Sequence, residues 1–222
     1  GFGSVAKYVA TSTLEAGLDV KSMSETSTKV FILEVMGRHA GWIAAASALA
    51  SRNETDPPHI ILMPEVPFAK KKFIDKVKHT VANEGFCVVV ASEGARYKNG
   101  MFLADSGLTD AFGHKQLGGV APVLAQMISS IGLKNHWAVS DYLQRSARHI
   151  SSKTDLDQAY AVGKKAVEFA LAGKNAVMPV IKRLSDKPYK WKIESASLSK
   201  VANVEKTLLS LIHISEPTRP TP

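Results

Sequence analysis

The chain has 222 residues, 45% hydrophobic and 22% charged, ordinary globular usage that excludes wholesale disorder and fibrous repeats and suits one large domain or a domain and a half. Its single cysteine, Cys87, excludes a disulfide framework within the chain and a zinc site built on several thiolates. A net charge of +8 favours anionic partners, whereas the lack of any long apolar run excludes a membrane-spanning helix.

In chain order, the first residues lack the charged-then-apolar pattern of a secretory signal, so a cytoplasmic protein is expected; with no methionine at position 1, a piece of something longer is also expected. Residues 30–35 (Val-Phe-Ile-Leu-Glu-Val) are compact and β-branched, and predict a strand; the Ala-rich residues 42–50 follow. Residues 59–63 predict a second strand that stops at Pro64. Phe73, Ile74, Val77 and Val81 recur at helical spacing within a helix expected over 68–83, and its basic start, Lys70-Lys71-Lys72, reads as a solvated face. Residues 86–91 predict a third strand, in which Cys87 is a buried, inert thiol. A helix over 118–131, a weaker strand over 137–139 and a helix over 155–171, closed by Gly173, come next. Residues 177–181 and 190–193 are expected to form a late strand pair. Such alternation predicts an α/β fold with a mainly parallel sheet covered by helices. Lys and Arg elsewhere are scattered, without interleaved aromatics, so neither nucleic acid nor a membrane is an expected partner.

Chemistry is expected where strands end, because open α/β sheets bind ligands beyond the carboxyl ends of their strands. After the first strand, Met36-Gly37-Arg38 combines a glycine that lets backbone approach a ligand with a planar guanidinium suited to phosphate. The N–H groups at the helix start that follows favour an anion. An ordinary turn glycine and a surface arginine fit this spacing equally well. After the third strand, Ser92-Glu93-Gly94 places a carboxylate able to accept hydrogen bonds from sugar hydroxyls, or simply a loop carboxylate. After the weaker strand, residues 141–149 (Asp-Tyr-Leu-Gln-Arg-Ser-Ala-Arg-His) gather phosphate-compatible donors, with a solvated basic turn as the alternative. No Ser/His/Asp or Cys/His arrangement, P-loop or kinase-type glycine loop is present.

In that order, Met36-Gly37-Arg38, Ser92-Glu93-Gly94 and Tyr142-Leu143-Gln144-Arg145 resemble the 6-phosphofructokinase family, over about residues 1–208. Gly-Arg-His-Ala-Gly-Trp and Tyr-Leu-Gln-Arg-Ser-Ala-Arg-His look most like its pyrophosphate-dependent (diphosphate–fructose-6-phosphate 1-phosphotransferase) branch. The resemblance implies Rossmann-like, mostly parallel sheets flanked by helices, with the first domain incomplete. It divides the chain into a remnant of the donor-binding domain and crossover (1–34), a fructose 6-phosphate-binding domain (35–182), a C-terminal strand and return segment (183–208) and a tail (209–222). It implies that Met36, Gly37 and Arg38 hold fructose 6-phosphate, that Glu93 binds its hydroxyls, and that Tyr142 and Arg145 grip the 6-phosphate side. Lys29 and His136 stand where the family has arginines that reach a neighbouring subunit's site, which implies a homo-oligomer. The family's phosphate-donor loop, its catalytic aspartate and the ligands of Mg²⁺ would precede residue 1, so the 222-residue chain is expected to be inactive by itself. The alternatives are an ATP-dependent enzyme and a non-catalytic sugar-phosphate-binding or regulatory subunit. The tail is expected to be disordered or artefactual: its three prolines exclude a helix or central strand, residues 211–220 resemble a translated sequencing-adapter peptide, and in either case it carries no part of the functional reading.

Overall fold

The computed structural model describes residues 1–109, 115–117 and 119–208. A helix, α1 (Phe2–Met23), leads into the strand β1 (Val30–Val35); the short α2 (Trp42–Ala46) follows and continues as a 3-10 turn, Ser47–Ala50. Next come β2 (Ile60–Leu62), α3 (Lys70–Glu84) and β3 (Cys87–Ser92). A small antiparallel pair, β4 (Asp105–Thr109) with β5 (Lys115–Leu117), precedes α4 (Val120–Ser129), β6 (Asn135–Val139) and the single turn α5 (Leu143–Ser146). The order closes with α6 (Lys153–Leu171), β7 (Val177–Asp186), β8 (Tyr189–Ser197) and α7 (Leu198–Val201).

By packing, the described residues divide into two bodies, those of 5–147 with 206–208 in the larger and 1–4 with 148–205 in the smaller. The larger is built on a sheet in the order β2-β3-β1-β6, with every pairing parallel. Alternate side chains of a strand point to opposite faces, and both faces here are covered. Val30 and Ile32 of β1 join Cys87, Val89 and Ala91 of β3 under Phe73 and Val77 of α3 and Leu124 and Ile128 of α4. On the other face, Leu33, Val35 and Val90 pack against Val9 of α1 and Ala44 of α2, and Val88 against Val20. A strand enclosed on both sides has no polar face to show, which is why β3 is apolar almost throughout. β6 lies at the sheet edge with most of its residues exposed.

In the smaller body, β7 and β8 pair antiparallel from Val177↔Ser197 to Asp186↔Tyr189, and α6 packs on them. Gln158 of α6 donates to the Tyr189 hydroxyl at 2.9 Å. Asp155 accepts from the backbone N–H and hydroxyl of Ser4, at 2.5 and 2.7 Å. Burial pushes its carboxyl upward, but these bonds and the Gly1 amine outweigh that and hold it below its ordinary value. The division at 147/148 falls inside the 35–182 segment drawn from the family resemblance; β7 and β8 form a two-stranded sheet of their own, on which α6 packs.

The main strands and helices stand where periodicity places them. The third helix begins at Lys70 rather than 68 because Phe68 is held in a bridge beside Tyr97, its N–H donating to Arg96 C=O at 2.7 Å. It ends on Gly85, whose positive φ of 81° closes the last turn onto Val81. The helix α1 was not expected from the sequence. Its buried face is Ala6, Val9, Thr13, Gly17 and Val20, helical in spacing but too small and polar to stand out as an apolar stripe. The expected tail, 209–222, lies outside the described residues. No helix among the described residues is long and apolar enough to cross a membrane.

Candidate functional site

Parallel register brings three neighbouring strands to a common edge. Val35 stands opposite Ser92, and Glu34 opposite Val139, so Met36, Glu93 and Ser140 all leave the sheet at the same end. Two backbone bonds continue the ladder past the strands: Glu93 N–H donates to Val35 C=O and Ser140 N–H to Glu34 C=O, each at 2.9 Å. Side chains then join the loops. Gly37 N–H donates to Glu93 Oε1 at 3.2 Å, Met36 N–H donates to Gln144 Oε1 at 3.3 Å, and the Ser92 hydroxyl donates to Gly37 C=O. The Arg96 guanidinium donates to Arg38 C=O at 3.1 Å.

Two glycines make this junction sterically possible. Gly37 has φ of 136°, and a Cβ there would lie 2.7 Å from Ala40 O. At Gly94 a Cβ would meet Arg38 O at 2.0 Å and Gly37 O at 2.7 Å. The backbones of the Met36–Arg38 loop and of the β3 exit thus touch directly, and only hydrogen fits between them.

A cavity of about 280 Å³ opens at this edge, lined by Glu34, Val35, Met36, Glu93, Gly119, Val139 and Asp141. Its size approaches that of small-ligand sites, about 300 Å³ and upward. Its carboxylates suit a ligand rich in hydroxyl donors. Glu34 is 5% exposed and accepts from Ala121 N–H at the start of α4, at 2.7 Å. Burial raises its pKa and the nearby charges of Glu93 and Asp141 push the same way, while the backbone N–H groups of Ala121 and Val120 oppose them.

Arg38 lies outside the cavity lining, and its Nε is buried with no hydrogen-bond partner among the described residues. Such an orphaned donor is costly unless a ligand meets it. Tyr142 and Arg145 are exposed on the turn that carries α5, with the guanidinium 5.3 Å from the Tyr142 ring centre. Asp141 starts that turn with a positive φ of 34°.

Of the residues singled out from the sequence, Met36, Gly37 and Glu93 are hydrogen-bonded into one cluster, Arg38 adjoins it through its backbone, and Tyr142 and Arg145 are tied to it through Gln144. Lys29 and His136 stand elsewhere. They flank the opposite ends of β1 and β6, His136 opposite Phe31, with Lys29 N–H on Lys134 C=O at 2.9 Å and the Lys29 ammonium on Ser24 C=O. The anion expected at the helix start after Arg38 finds its place taken: Gly41 N–H donates to the Glu65 carboxylate, at 2.9 and 3.1 Å to its two oxygens. α2 is also only five residues long. Neither Glu34 nor Gln144 is marked out as a site residue by the sequence patterns. A carboxylate inside an otherwise apolar strand was the signal for Glu34, whereas nothing local marks Gln144. Among the described residues no group of three or more His, Cys, Asp or Glu is placed to hold a metal ion, so these residues do not fit a Mg²⁺ site.

A family model described as phosphofructokinase matches residues 1–170. The chain belongs to the phosphofructokinase family. Over 207 residues it is 67% identical to a pyrophosphate–fructose 6-phosphate 1-phosphotransferase of Halomonas elongata, covering 93% of this chain and 49% of that protein. A protein of the same name from Methylococcus capsulatus is 58% identical, covering 94% and 50%. Among solved structures, a pyrophosphate-dependent phosphofructokinase from Marinobacter aquaeolei superimposes with a TM-score of 0.79 at 61% identity, over 94% of this chain and 49% of that one. The chain spans about half the length of the curated relatives it matches. It is a phosphofructokinase-like α/β structure, and its relatives are phosphotransferases by name.

Proposed function

We propose that this chain supplies the sugar-phosphate half-site of a pyrophosphate-dependent phosphofructokinase, in which fructose 6-phosphate and pyrophosphate give fructose 1,6-bisphosphate and phosphate. One observation carries the reading: the Met36–Arg38, Glu93–Gly94 and Tyr142–Arg145 segments leave one sheet edge together and are hydrogen-bonded to one another. In this arrangement Glu93 accepts from sugar hydroxyls while Met36 and Gly37 line the sugar. Arg38 and Arg145 supply positive charge and directional donors to the 6-phosphate, with Tyr142 beside it. Orientation of the acceptor hydroxyl is the contribution such a half-site makes to phosphoryl transfer.

Functionally, residues 35–182 are assigned to this half-site, 1–34 to the donor-domain remnant and crossover, and 183–208 to the return segment. Pyrophosphate rather than ATP is favoured because the relatives of high identity carry that donor in their names. Mg²⁺ would neutralise charge on the transferred phosphoryl group; its ligands are assigned outside the described residues. Lys29 and His136, at the far end of the sheet, are assigned to the corresponding site of a second copy in a homo-oligomer, and the enzyme to the cytoplasm.

The test is made in a polypeptide of the relatives' full length that contains this segment. Arg38→Ala and Arg145→Ala each remove a charge-assisted contact worth about 1.5–3 kcal/mol. The KM for fructose 6-phosphate in a coupled assay should therefore rise by about tenfold to a hundredfold. An unchanged KM in both variants overturns the assignment.

A further inference from the structure

Gln144 occupies a gap in the sheet's own hydrogen-bond ladder. In a parallel pair, one residue donates to the partner strand and accepts the next rung from it. Ser140 donates its N–H to Glu34 C=O at 2.9 Å, so the following rung would run from Met36 N–H to Ser140 C=O. That carbonyl is instead taken by Leu143 N–H, at 2.9 Å, as the chain turns into α5. Met36 N–H is left without its backbone acceptor, and the side-chain oxygen of Gln144 supplies one at 3.3 Å. The nitrogen of the same carboxamide donates to Asp141 C=O at 3.0 Å. Gln144 is only 4% exposed, so water does not readily replace either bond. A single amide thus clamps the strand end that opens the Met36–Arg38 loop to the turn that carries Tyr142 and Arg145.

We propose that Gln144 is a positioning residue that fixes the Met36–Arg38 loop against the Tyr142–Arg145 turn, so that the groups on both are presented to one ligand together. The inference rests on the reading that these two segments hold fructose 6-phosphate. Arg38 and Arg145 lie on the two sides of the clamp. When the amide is lost, each segment keeps its local fold and the rung from Ser140 to Glu34 still joins the strands, but the side-chain tie from Met36 to the turn beyond that rung is gone.

Gln144→Met, of similar volume but unable to make either bond, and Gln144→Asn, too short to span both, are tested in the full-length polypeptide. Both should raise the KM for fructose 6-phosphate about tenfold while leaving kcat and the donor KM nearly unchanged. In an Arg145→Ala background the further effect of Gln144→Met should shrink, because placing a contact that is absent has little consequence. Hydrogen exchange at the Met36 amide should be slow in the parent and fast in both variants, with or without substrate. Where Arg38→Ala and Arg145→Ala raise KM, a parental KM in both Gln144 variants or full additivity with Arg145→Ala overturns the proposal, and a Met36 amide that stays protected overturns it in every case; should Gln144→Met fail to fold, Gln144→Asn decides it. If Arg38→Ala and Arg145→Ala raise KM but the Gln144 variants do not, only the clamp fails. If those arginine variants have no effect while Met36 exchange still accelerates, the sugar-phosphate reading fails and the clamp stands.

Discussion

Replacing Gly94 by alanine should dislocate the site with the smallest possible change. A Cβ at this position would lie 2.0 Å from Arg38 O, 2.5 Å from Arg38 C and 2.7 Å from Gly37 O. Ordinary contact begins at 3.4 Å, so the loop carbonyl must retreat by 3.4 − 2.0, about 1.4 Å. The obstructing atoms are backbone, and no side-chain rotation relieves the overlap. A retreat of that size removes the bond from Arg96 to Arg38 C=O, at 3.1 Å, and the bond from Gly37 N–H to Glu93, at 3.2 Å. Overpacking of this kind costs about 1–3 kcal/mol, and each kcal/mol moves the melting temperature of a chain this long by about 2–4 °C. Thermal unfolding followed by circular dichroism measures the loss. Gly100→Ala is the control: nothing lies within 4 Å of its Cβ, and its φ of 82° leaves only a conformational cost of about 1–2 kcal/mol. In the full-length polypeptide Gly94→Ala should also weaken fructose 6-phosphate binding, whereas Gly100→Ala should not. A Gly94→Ala chain with parental melting temperature and parental sugar-phosphate affinity would refute the close backbone contact on which the site is built.

Gly163 lies within α6, has an ordinary φ and nothing within 4 Å of its Cβ, so Gly163→Ala should raise stability by about 0.5–1 kcal/mol; a lower melting temperature contradicts this. The raised pKa of Glu34 means that the fold binds its proton more tightly than the unfolded chain does. Ionisation therefore costs stability above the raised value, and below the ordinary 4.5 the cost disappears. Glu34→Gln should accordingly gain melting temperature over the parent near pH 8 and lose that gain as the pH falls towards 4.5; a difference independent of pH contradicts the burial argument. Cys87 is fully buried, and its pKa is pushed up to about 12 by burial. Iodoacetamide at pH 8 should leave it unmodified in the native chain and alkylate it after denaturation, and rapid native labelling would show that β3 is not enclosed.

Much of the architecture could be read along the chain because its signal is local. The β-branched runs at 30–35 and 86–91, bounded by polar residues and glycine, can bury themselves only as interior strands, and Phe73, Val77 and Val81 repeat at the period of a helix. Where local contrast was weak, that legibility stopped. The buried face of α1 is built from Ala, Val, Thr and Gly, which fit closely against a sheet without forming a conspicuous apolar stripe. The paired carboxylates Glu65 and Asp155 gave no sign, because each finds its N–H partner in a distant part of the chain.

The amino-acid order by itself determined which residue types stand at each strand end: a glycine and arginine after β1, a glutamate and glycine after β3, a tyrosine and arginine beyond β6. Their family resemblance was legible there too. Only the tertiary structure decided that these ends are neighbours, since parallel register between β3, β1 and β6 is a long-range property that no single segment encodes. It alone gave Gln144 and Gly94 their work, one filling a missing rung and the other admitting a carbonyl at van der Waals contact. Both effects arise from atoms more than fifty positions apart in sequence meeting within a few ångströms.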